Sequence, residues 1–202
     1  MKKIILALIM IFCMGLLSAC AQKTDADVST VFIEKKGSVV SLDVENLDRD
    51  YYSEEELESY ITEHIEEYTG EHGDTVEKLS FDVEGETAKL KMEYDSCEDY
   101  AGFNGIEFYH GTVVKAQAQG YDFDTEFYSV KDGEKQKDAA KKDVLADDDA
   151  NVAIIKANIN VKVPGSILFV SSKDTKLEGK DTVSITGKGS NEEAALTYII
   201  YK

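Results

Sequence analysis

Residues 79–94 read LSFDVEGETAKLKMEY, and apolar and polar residues alternate in this stretch on both sides of a glycine turn. The apolar positions are Leu79, Phe81 and Val83 before the turn, and Ala88, Leu90, Met92 and Tyr94 after it. Alternation with a period of two is typical of a strand that buries one face. Residues 84–86, Glu-Gly-Glu, supply the turn. The stretch therefore predicts an antiparallel hairpin, and the fold is built outward from it.

A second pair of strands is predicted upstream of this hairpin. Val31–Ile33 and Val39–Val44 are apolar segments that flank a turn formed by Lys35, Lys36 and Gly37. Apolar and polar residues alternate in the longer segment as well. This pattern predicts a second hairpin.

A long amphipathic helix is predicted between the two hairpins. Ser53 and Glu56 form a capping box at its start, and Gly70 and Gly73 end it. An apolar stripe with helical spacing runs along it, and glutamates occupy the other side. The stripe consists of Leu57, Ile61, Ile65 and Tyr68. We expect the stripe to pack on a sheet.

The rest of the chain is predicted to contain short helices and then mostly strands. Helices are expected at Cys97–Ala101, at Thr112–Gln119 and around Asp138–Leu145, and Pro164 with Gly165 fits a sharp turn. Further strands are expected at Ile106–Tyr109, Phe123–Val130, Val152–Ile155, Ile159–Val163, Ile167–Val170, Thr182–Thr186 and Leu196–Tyr201.

Together these elements predict an α+β fold. It should have a mostly antiparallel sheet, one long amphipathic helix, two or three short helices and a β-rich C-terminal part. Composition divides the chain into an α+β domain over residues 31–135, a charged connector over 136–151 and a β-rich module over 152–202. Whether that module is a separate domain or shares a sheet with the first part stays open at this level.

Charge is the strongest compositional feature of the chain. It carries 40 acidic and 22 basic residues, a formal net charge of −18, and Arg49 is its single arginine. Such a surface repels phosphate backbones and offers them almost no bidentate donors, so nucleic acid is not expected as a partner. Anionic lipid headgroups should be repelled too. We interpret the charge as serving solubility and spacing from the membrane, and recognition of a cationic ligand is the weaker alternative.

The first twenty residues have the pattern of an export signal. Two lysines precede an apolar run, and residues 17–20, LSAC, close it. This pattern resembles the lipobox of bacterial lipoproteins. The resemblance implies that residues 1–19 are a signal peptide, that Cys20 is lipidated, and that residues 20–30 are a lipidated N-terminus and flexible tether. It implies attachment to the outer face of the cell membrane, where acyl chains rather than protein surface provide the anchor.

A second resemblance lies within the predicted domain and covers about half of the chain that follows the signal. The segments that carry it are Tyr100–Gly105, Gly111 and Thr112, Ala116–Tyr121, Val161–Gly165 and Tyr198–Tyr201. They are similar to uncharacterised surface lipoproteins of clostridia-type Gram-positive bacteria. The resemblance supports the anchor and the compartment, and it implies no catalytic or binding residue.

Catalytic chemistry finds little support in the sequence. Phosphate-binding glycine loops, paired-histidine metal helices and nucleophile-elbow motifs are all missing from it. Apart from Cys20 and the cysteine of the predicted signal peptide, Cys97 is the one cysteine of the chain. Cys97 and His110 could in principle act as the nucleophile and base of a cysteine protease. A lone cysteine near a helix is more often a packing residue, and we favour that interpretation.

Two groups of residues suggest metal ligands. Asp147, Asp148 and Asp149 could hold calcium, but they lack the alternate spacing and the glycine of a calcium loop. His64 and His72 lie beside acids but eight positions apart. A solvated turn and a solvated helix end are the stronger interpretations, and no cofactor or metal is expected.

The sequence thus favours a non-enzymatic envelope lipoprotein that acts as a binding or accessory module. Its partner would be an envelope protein or a small ligand. The alternatives are a small wall-directed hydrolase that uses acidic residues and a structural spacer.

Overall fold

The structure is a computed structural model that describes residues 24–47, 53–186 and 194–202. The predicted signal peptide, the predicted lipidation site Cys20 and the start of the predicted tether lie outside these residues.

Seventeen elements of regular structure lie in the described residues. The helices are α1 Glu54–His72, α2 Cys97–Asn104, α3 Val113–Ala118 and α4 Lys141–Val144. The first seven strands are β1 Thr30–Ile33, β2 Val39–Asn46, β3 Val76–Glu84, β4 Thr87–Tyr94, β5 Phe108–Thr112, β6 Phe127–Lys131 and β7 Glu134–Ala139. The remaining strands are β8 Asn151–Ile155, β9 Asn160–Lys162, β10 Ile167–Ser171, β11 Thr175–Leu177, β12 Thr182–Ile185 and β13 Thr197–Tyr201. The predicted α+β class is therefore correct, although the described chain contains two sheets.

The thirteen described strands form two mostly antiparallel sheets. Sheet I has the order β11-β12-β9-β1-β2-β4-β3, and sheet II has the order β5-β8-β13-β10-β6-β7. The one parallel pairing recorded among these strands joins β1 to β9, with Val31 opposite Val161. A parallel pair needs a long connection, and here residues 34–159 connect β1 to β9.

Residues 152–202 share both sheets with the rest of the chain. Strands β9, β11 and β12 belong to sheet I, whereas β8, β10 and β13 belong to sheet II. Of the two arrangements that the sequence left open, the shared sheet is the one observed. The predicted boundaries at 135/136 and 151/152 fall within β7 and β8, and most of the predicted connector is strand, helix or turn.

The main hydrophobic core lies between the two sheets. Sheet I contributes Val31 and Ile33, sheet II contributes Ile155 and Ile199, and all four are fully buried. Alternate residues of the same strands face the other way, so each sheet also has an outer face. On sheet II this face carries a second cluster with Val152, Ile154 and Ile200.

The long helix α1 begins where the capping signal predicts. The Ser53 hydroxyl accepts a hydrogen bond from the Glu56 amide, and Gly73 follows the last turn at a φ of 86°. Ile61 is the one residue of α1 that is buried; Leu57, Ile65 and Tyr68 are partly buried against the main core. The helix exists as predicted, while its amphipathic character stays a prediction.

The outer face of sheet I is covered by the segment that precedes β1. Phe32, Val40 and Leu42 form a small buried cluster there, and Ala26 packs against it. The Ser29 hydroxyl accepts from the amide of Val44 and donates to its carbonyl. The described end of the predicted tether is thus attached to the sheet.

Two strands were missed by the sequence analysis, and others differ in their bounds. Strand β7 pairs with β6 through a two-residue Asp132-Gly133 turn, in which both residues have positive φ. Strand β11 pairs with β12. The strand predicted at Phe123–Val130 begins only at Phe127. Phe123, at the predicted start, has a φ of 55°, which lies outside the extended region.

Candidate functional site

An open cleft at one end of sheet II is the best candidate for a functional site. Three aromatic side chains, Tyr109, Tyr121 and Tyr198, line it together with the carboxylates of Glu107 and Asp122. Its volume is about 440 Å³. We call it the tyrosine cleft. That volume suits a small ligand or the tip of a larger one.

Strand register places two of the tyrosines on the same face. Tyr109 of β5 and Tyr198 of β13 are both directly opposite Ile154 of β8, one on each side of it. Residues that are paired across neighbouring strands point to the same side of a sheet. The fully buried Ile154 therefore lies between the two tyrosines on that face of the sheet.

The third tyrosine comes from the loop after α3. The Tyr121 ring lies 5.2 Å from the Tyr109 ring at an interplanar angle of 44°. It lies 6.4 Å from the Tyr198 ring at 89°. At these separations the three rings pack against one another in different orientations, so they form an uneven aromatic wall instead of one flat platform.

The loop that carries Tyr121 holds an unusual backbone conformation. Phe123 has a φ of 55° although it is bulky and fully buried. Such a conformation costs on the order of 1–3 kcal/mol and persists only where surrounding contacts enforce it. Here the Phe123 ring packs 4.9 Å from the Tyr198 ring, and the Phe123 amide donates to the Tyr198 hydroxyl. The Asp122 carboxylate further accepts from the Asp124 amide at 2.9 Å. These contacts hold the loop against Tyr198 of β13.

The two carboxylates act directly on the tyrosine hydroxyls. Burial raises the pKa of Tyr121, and the charge of Glu107 and its hydrogen bond to the Tyr121 hydroxyl raise it further. Burial also raises the pKa of Tyr198, and Asp122 adds to this effect. Both tyrosines are therefore neutral hydrogen-bonding groups at neutral pH, and the negative charge of the cleft comes from its acids.

A glycine makes room for the first tyrosine. A methyl group at Gly111 would come within 2.4 Å of the Tyr109 hydroxyl oxygen. Since that atom is the end of a long side chain, an added methyl would displace the ring more than the backbone. Gly111 thus sets the position of Tyr109 in the cleft.

No motif in the sequence indicates a site at this cleft. Gly111, Gly120 and Tyr121 stand out only as part of a family resemblance. The local signal is a tyrosine in each of two predicted strands, Tyr109 and Tyr198, with Glu107 two positions before Tyr109. Nothing local indicates that β5 and β13 lie on either side of one strand.

Cys97 and His110, the residues of the conceivable protease pair, lie in a buried environment. Burial raises the pKa of the Cys97 thiol strongly, and its sulfur lies 3.9 Å from the Gly37 carbonyl oxygen. His110 bonds to the Tyr201 hydroxyl at 2.7 Å, and burial lowers the pKa of His110. A protonated, buried thiol is a poor nucleophile, which favours the packing interpretation of Cys97.

The three aspartates of the weak calcium interpretation lie in the turn after α4. The Asp147 carboxylate pairs with the Lys202 ammonium, and this bond lowers the pKa of Asp147. Asp148 and Asp149 are exposed. In the described ranges no three His, Cys, Asp or Glu side chains are grouped so that they could hold a metal ion.

The two histidines of α1 are occupied by aromatic contacts. His64 stacks on Tyr60 and lies 3.3 Å from the Phe103 carbonyl oxygen. His72 stacks on Tyr68 at 4.1 Å between ring centroids. Tyr68 lies between them along the helix, so the structure does not bring the histidines together.

A second cavity, of about 290 Å³, lies at the other end of β13. Lys162, Lys180 and Lys202 line it together with Asp181. Lys162 lies 3.9 Å from Asp181, and Lys202 pairs with Asp147. Carboxylates thus neutralise two of its three lysines.

Comparisons with known proteins add no further evidence about the site. The chain matches no family model, no curated protein and no solved structure.

In the described ranges no helix has the length and apolar character needed to cross a bilayer.

Proposed function

We propose that this chain is a lipid-anchored envelope protein that binds a small ligand, or a short exposed group of a larger partner, in the tyrosine cleft. The anchor is Cys20, as the lipobox resemblance implies. The protein acts by binding and not by catalysis.

The observation that carries this proposal is the convergence of three tyrosines on one open cleft. An aromatic ring offers a large contact area at low cost in conformational entropy, and its hydroxyl supplies a hydrogen bond. Tyr109 and Tyr121 are each only partly buried, so both retain surface that a ligand can cover. A structural spacer does not require such a cleft.

A wall-directed hydrolase is the second candidate, because Glu107 and Asp122 lie in the same cleft. Hydrolysis of a glycosidic bond needs one carboxyl as acid and another as base or nucleophile. Under this alternative Glu107→Gln abolishes release of reducing sugar from purified cell wall. Under the binding proposal neither the parent protein nor the variant releases any.

Binding can be tested by NMR on protein with ¹³C-labelled tyrosine rings. The probes are N-acetylglucosamine, D-alanine and small alkylamines, each titrated separately. We expect at least one probe to shift the resonances of Tyr109, Tyr121 and Tyr198. Tyr60 is the internal control, because it is 65 % exposed and belongs to α1. Equal shifts of Tyr60 and the cleft tyrosines, or no shifts, would contradict the proposal.

The anchor is tested separately by replacing the predicted lipidated residue. Cys20→Ser should move the protein from the membrane fraction into the medium, because the acyl chains no longer hold it. Cys97→Ser is the matched control and should remain in the membrane fraction. Membrane retention of Cys20→Ser would contradict a lipid anchor at this position.

A further inference from the structure

The tyrosine cleft combines two features that each favour a positively charged ligand. Its rings present π faces in several directions, and its described lining includes two carboxylates and no ammonium or guanidinium group. A cation over a tyrosine face is attracted to the ring quadrupole, and a nearby carboxylate adds a direct Coulombic attraction. From this combination we propose that the ligand of the cleft carries a compact organic cation, such as an alkylated ammonium group. This inference rests on the proposed function, because it names the class of ligand for the same cleft.

Ring geometry favours a compact cation over a flat sugar ring. Sugars stack on a single exposed face, whereas the Tyr121 ring is tilted by 44° from Tyr109 and stands at 89° to Tyr198. The rings are in contact with one another, at centroid separations of 5.2 and 6.4 Å, so a ligand lies against their outer surface. A compact group fits such an uneven surface better than a flat ring does. A cation over one exposed tyrosine face is attracted to the ring quadrupole without being enclosed.

Both carboxylates are placed where they would attract a cation that lies against the exposed parts of Tyr109 and Tyr121. Glu107 accepts a hydrogen bond from the Tyr121 hydroxyl, and the charges of Asp122 and Glu107 both act on Tyr198. Both acids are also exposed at the mouth of the cleft, which attracts a cation as it approaches. The net charge of −18 on the whole chain acts in the same direction and disfavours anionic ligands.

Charge and shape can be separated with a matched pair of probes. The first is choline, and the second is the neutral alcohol in which carbon replaces the quaternary nitrogen of choline. The two have nearly the same size and shape, so a difference in affinity reports the charge. We expect choline to bind at least tenfold more tightly by calorimetry. We also expect its affinity to fall when salt is raised to about 1 M, where the Debye length is about 3 Å.

Variants of the intact protein assign the effect to residues. Asp122→Asn and Glu107→Gln keep the hydrogen-bond acceptors and remove the charges, so each should weaken choline roughly two- to fivefold and leave the neutral alcohol unchanged. Tyr121→Leu should weaken choline roughly 2- to 30-fold. Glu63→Gln on α1 is the matched control, because it removes an exposed carboxylate that does not line the cleft, and it should change nothing.

The outcomes distinguish this inference from the proposed function. Preference for choline that the charge-neutral variants reduce supports both. Equal affinity for choline and the neutral alcohol overturns the cationic ligand but leaves a binding cleft. If N-acetylglucosamine shifts the NMR resonances of the cleft tyrosines and choline does not, the cationic ligand is likewise overturned and a binding cleft remains. If no probe binds at the cleft, both fail.

Discussion

A pair of glycine substitutions tests how the two sheets are joined at one end of the molecule. Gly133 lies in the β6–β7 turn of sheet II, at a φ of 83°, and Gly179 lies between β11 and β12 of sheet I, at a φ of 94°. A methyl group at Gly133 would come within 2.7 Å of the Gly179 carbonyl carbon. A methyl group at Gly179 would meet nothing within 4 Å. The two positions therefore share the same backbone constraint and differ in packing.

The expected magnitudes follow from that difference. An alanine with positive φ costs about 1–2 kcal/mol, and this cost applies to both Gly133→Ala and Gly179→Ala. Overpacking against backbone that cannot move aside adds about 1–3 kcal/mol, and this cost applies only to Gly133→Ala. We expect the free energy of unfolding to fall by about 1–2 kcal/mol for Gly179→Ala and by about 2–5 kcal/mol for Gly133→Ala.

Urea unfolding measures both values. Tyrosine fluorescence and far-ultraviolet circular dichroism report the transition, since the chain has 11 tyrosines and no tryptophan. The midpoints should differ while the slope m stays the same, because both variants expose the same surface on unfolding. Equal losses of stability in the two variants would refute the close approach of the β6–β7 turn to Gly179, and with it the described contact between the sheets at this end.

Three further predictions concern single residues. Gly111→Ala should displace the Tyr109 ring and weaken ligand binding at the cleft by roughly 10-fold. The free energy of unfolding should change by less than about 1 kcal/mol. A binding titration and a urea titration of the same sample measure the two effects. Burial raises the pKa of Asp43 in the folded protein above its ordinary value of 3.8. The folded state therefore disfavours the ionised carboxylate. This cost is absent below pH 3.8, grows as the pH rises, and is complete above the raised pKa. Asp43→Asn should therefore stabilise the protein at pH 7 by on the order of 1 kcal/mol and should not stabilise it in strong acid. Urea titrations at several pH values measure this, and a difference in unfolding free energy between variant and parent that does not change with pH would contradict it. The Cys97 thiol should not react with a thiol reagent at about pH 8 until the protein is unfolded, with Cys97→Ser as the control, because burial keeps it protonated and inaccessible.

Local patterns in the sequence were sufficient to predict most individual elements. The alternation in residues 79–94 predicts β3 and β4, and the observed hairpin has Phe81 opposite Leu90. The capping box at Ser53 predicts the start of α1, and Thr112 caps α3 through its side chain. These predictions succeed because the interactions that decide them join residues only a few positions apart.

The prediction missed elements where composition obscured a local signal. The lysine-rich composition of the segment that contains β7 predicts a charged connector. Its Asp132-Gly133 pair is nevertheless a strong signal for a two-residue hairpin turn. Strand β7 lies at the edge of sheet II, where charged residues are expected and protect against further pairing.

The sequence by itself determined the α+β class, the main hairpins, the caps of the helices and the strong negative charge. Only the tertiary structure decided that β9 pairs with β1 and that β5 and β13 flank β8. A period of two specifies which face of a strand is buried, but it does not specify the neighbouring strand, which depends on how distant segments pack together. The tyrosine cleft depends on this strand order, because Tyr109 and Tyr198 are far apart in the sequence and lie on either side of Ile154 only when β5 and β13 both pair with β8.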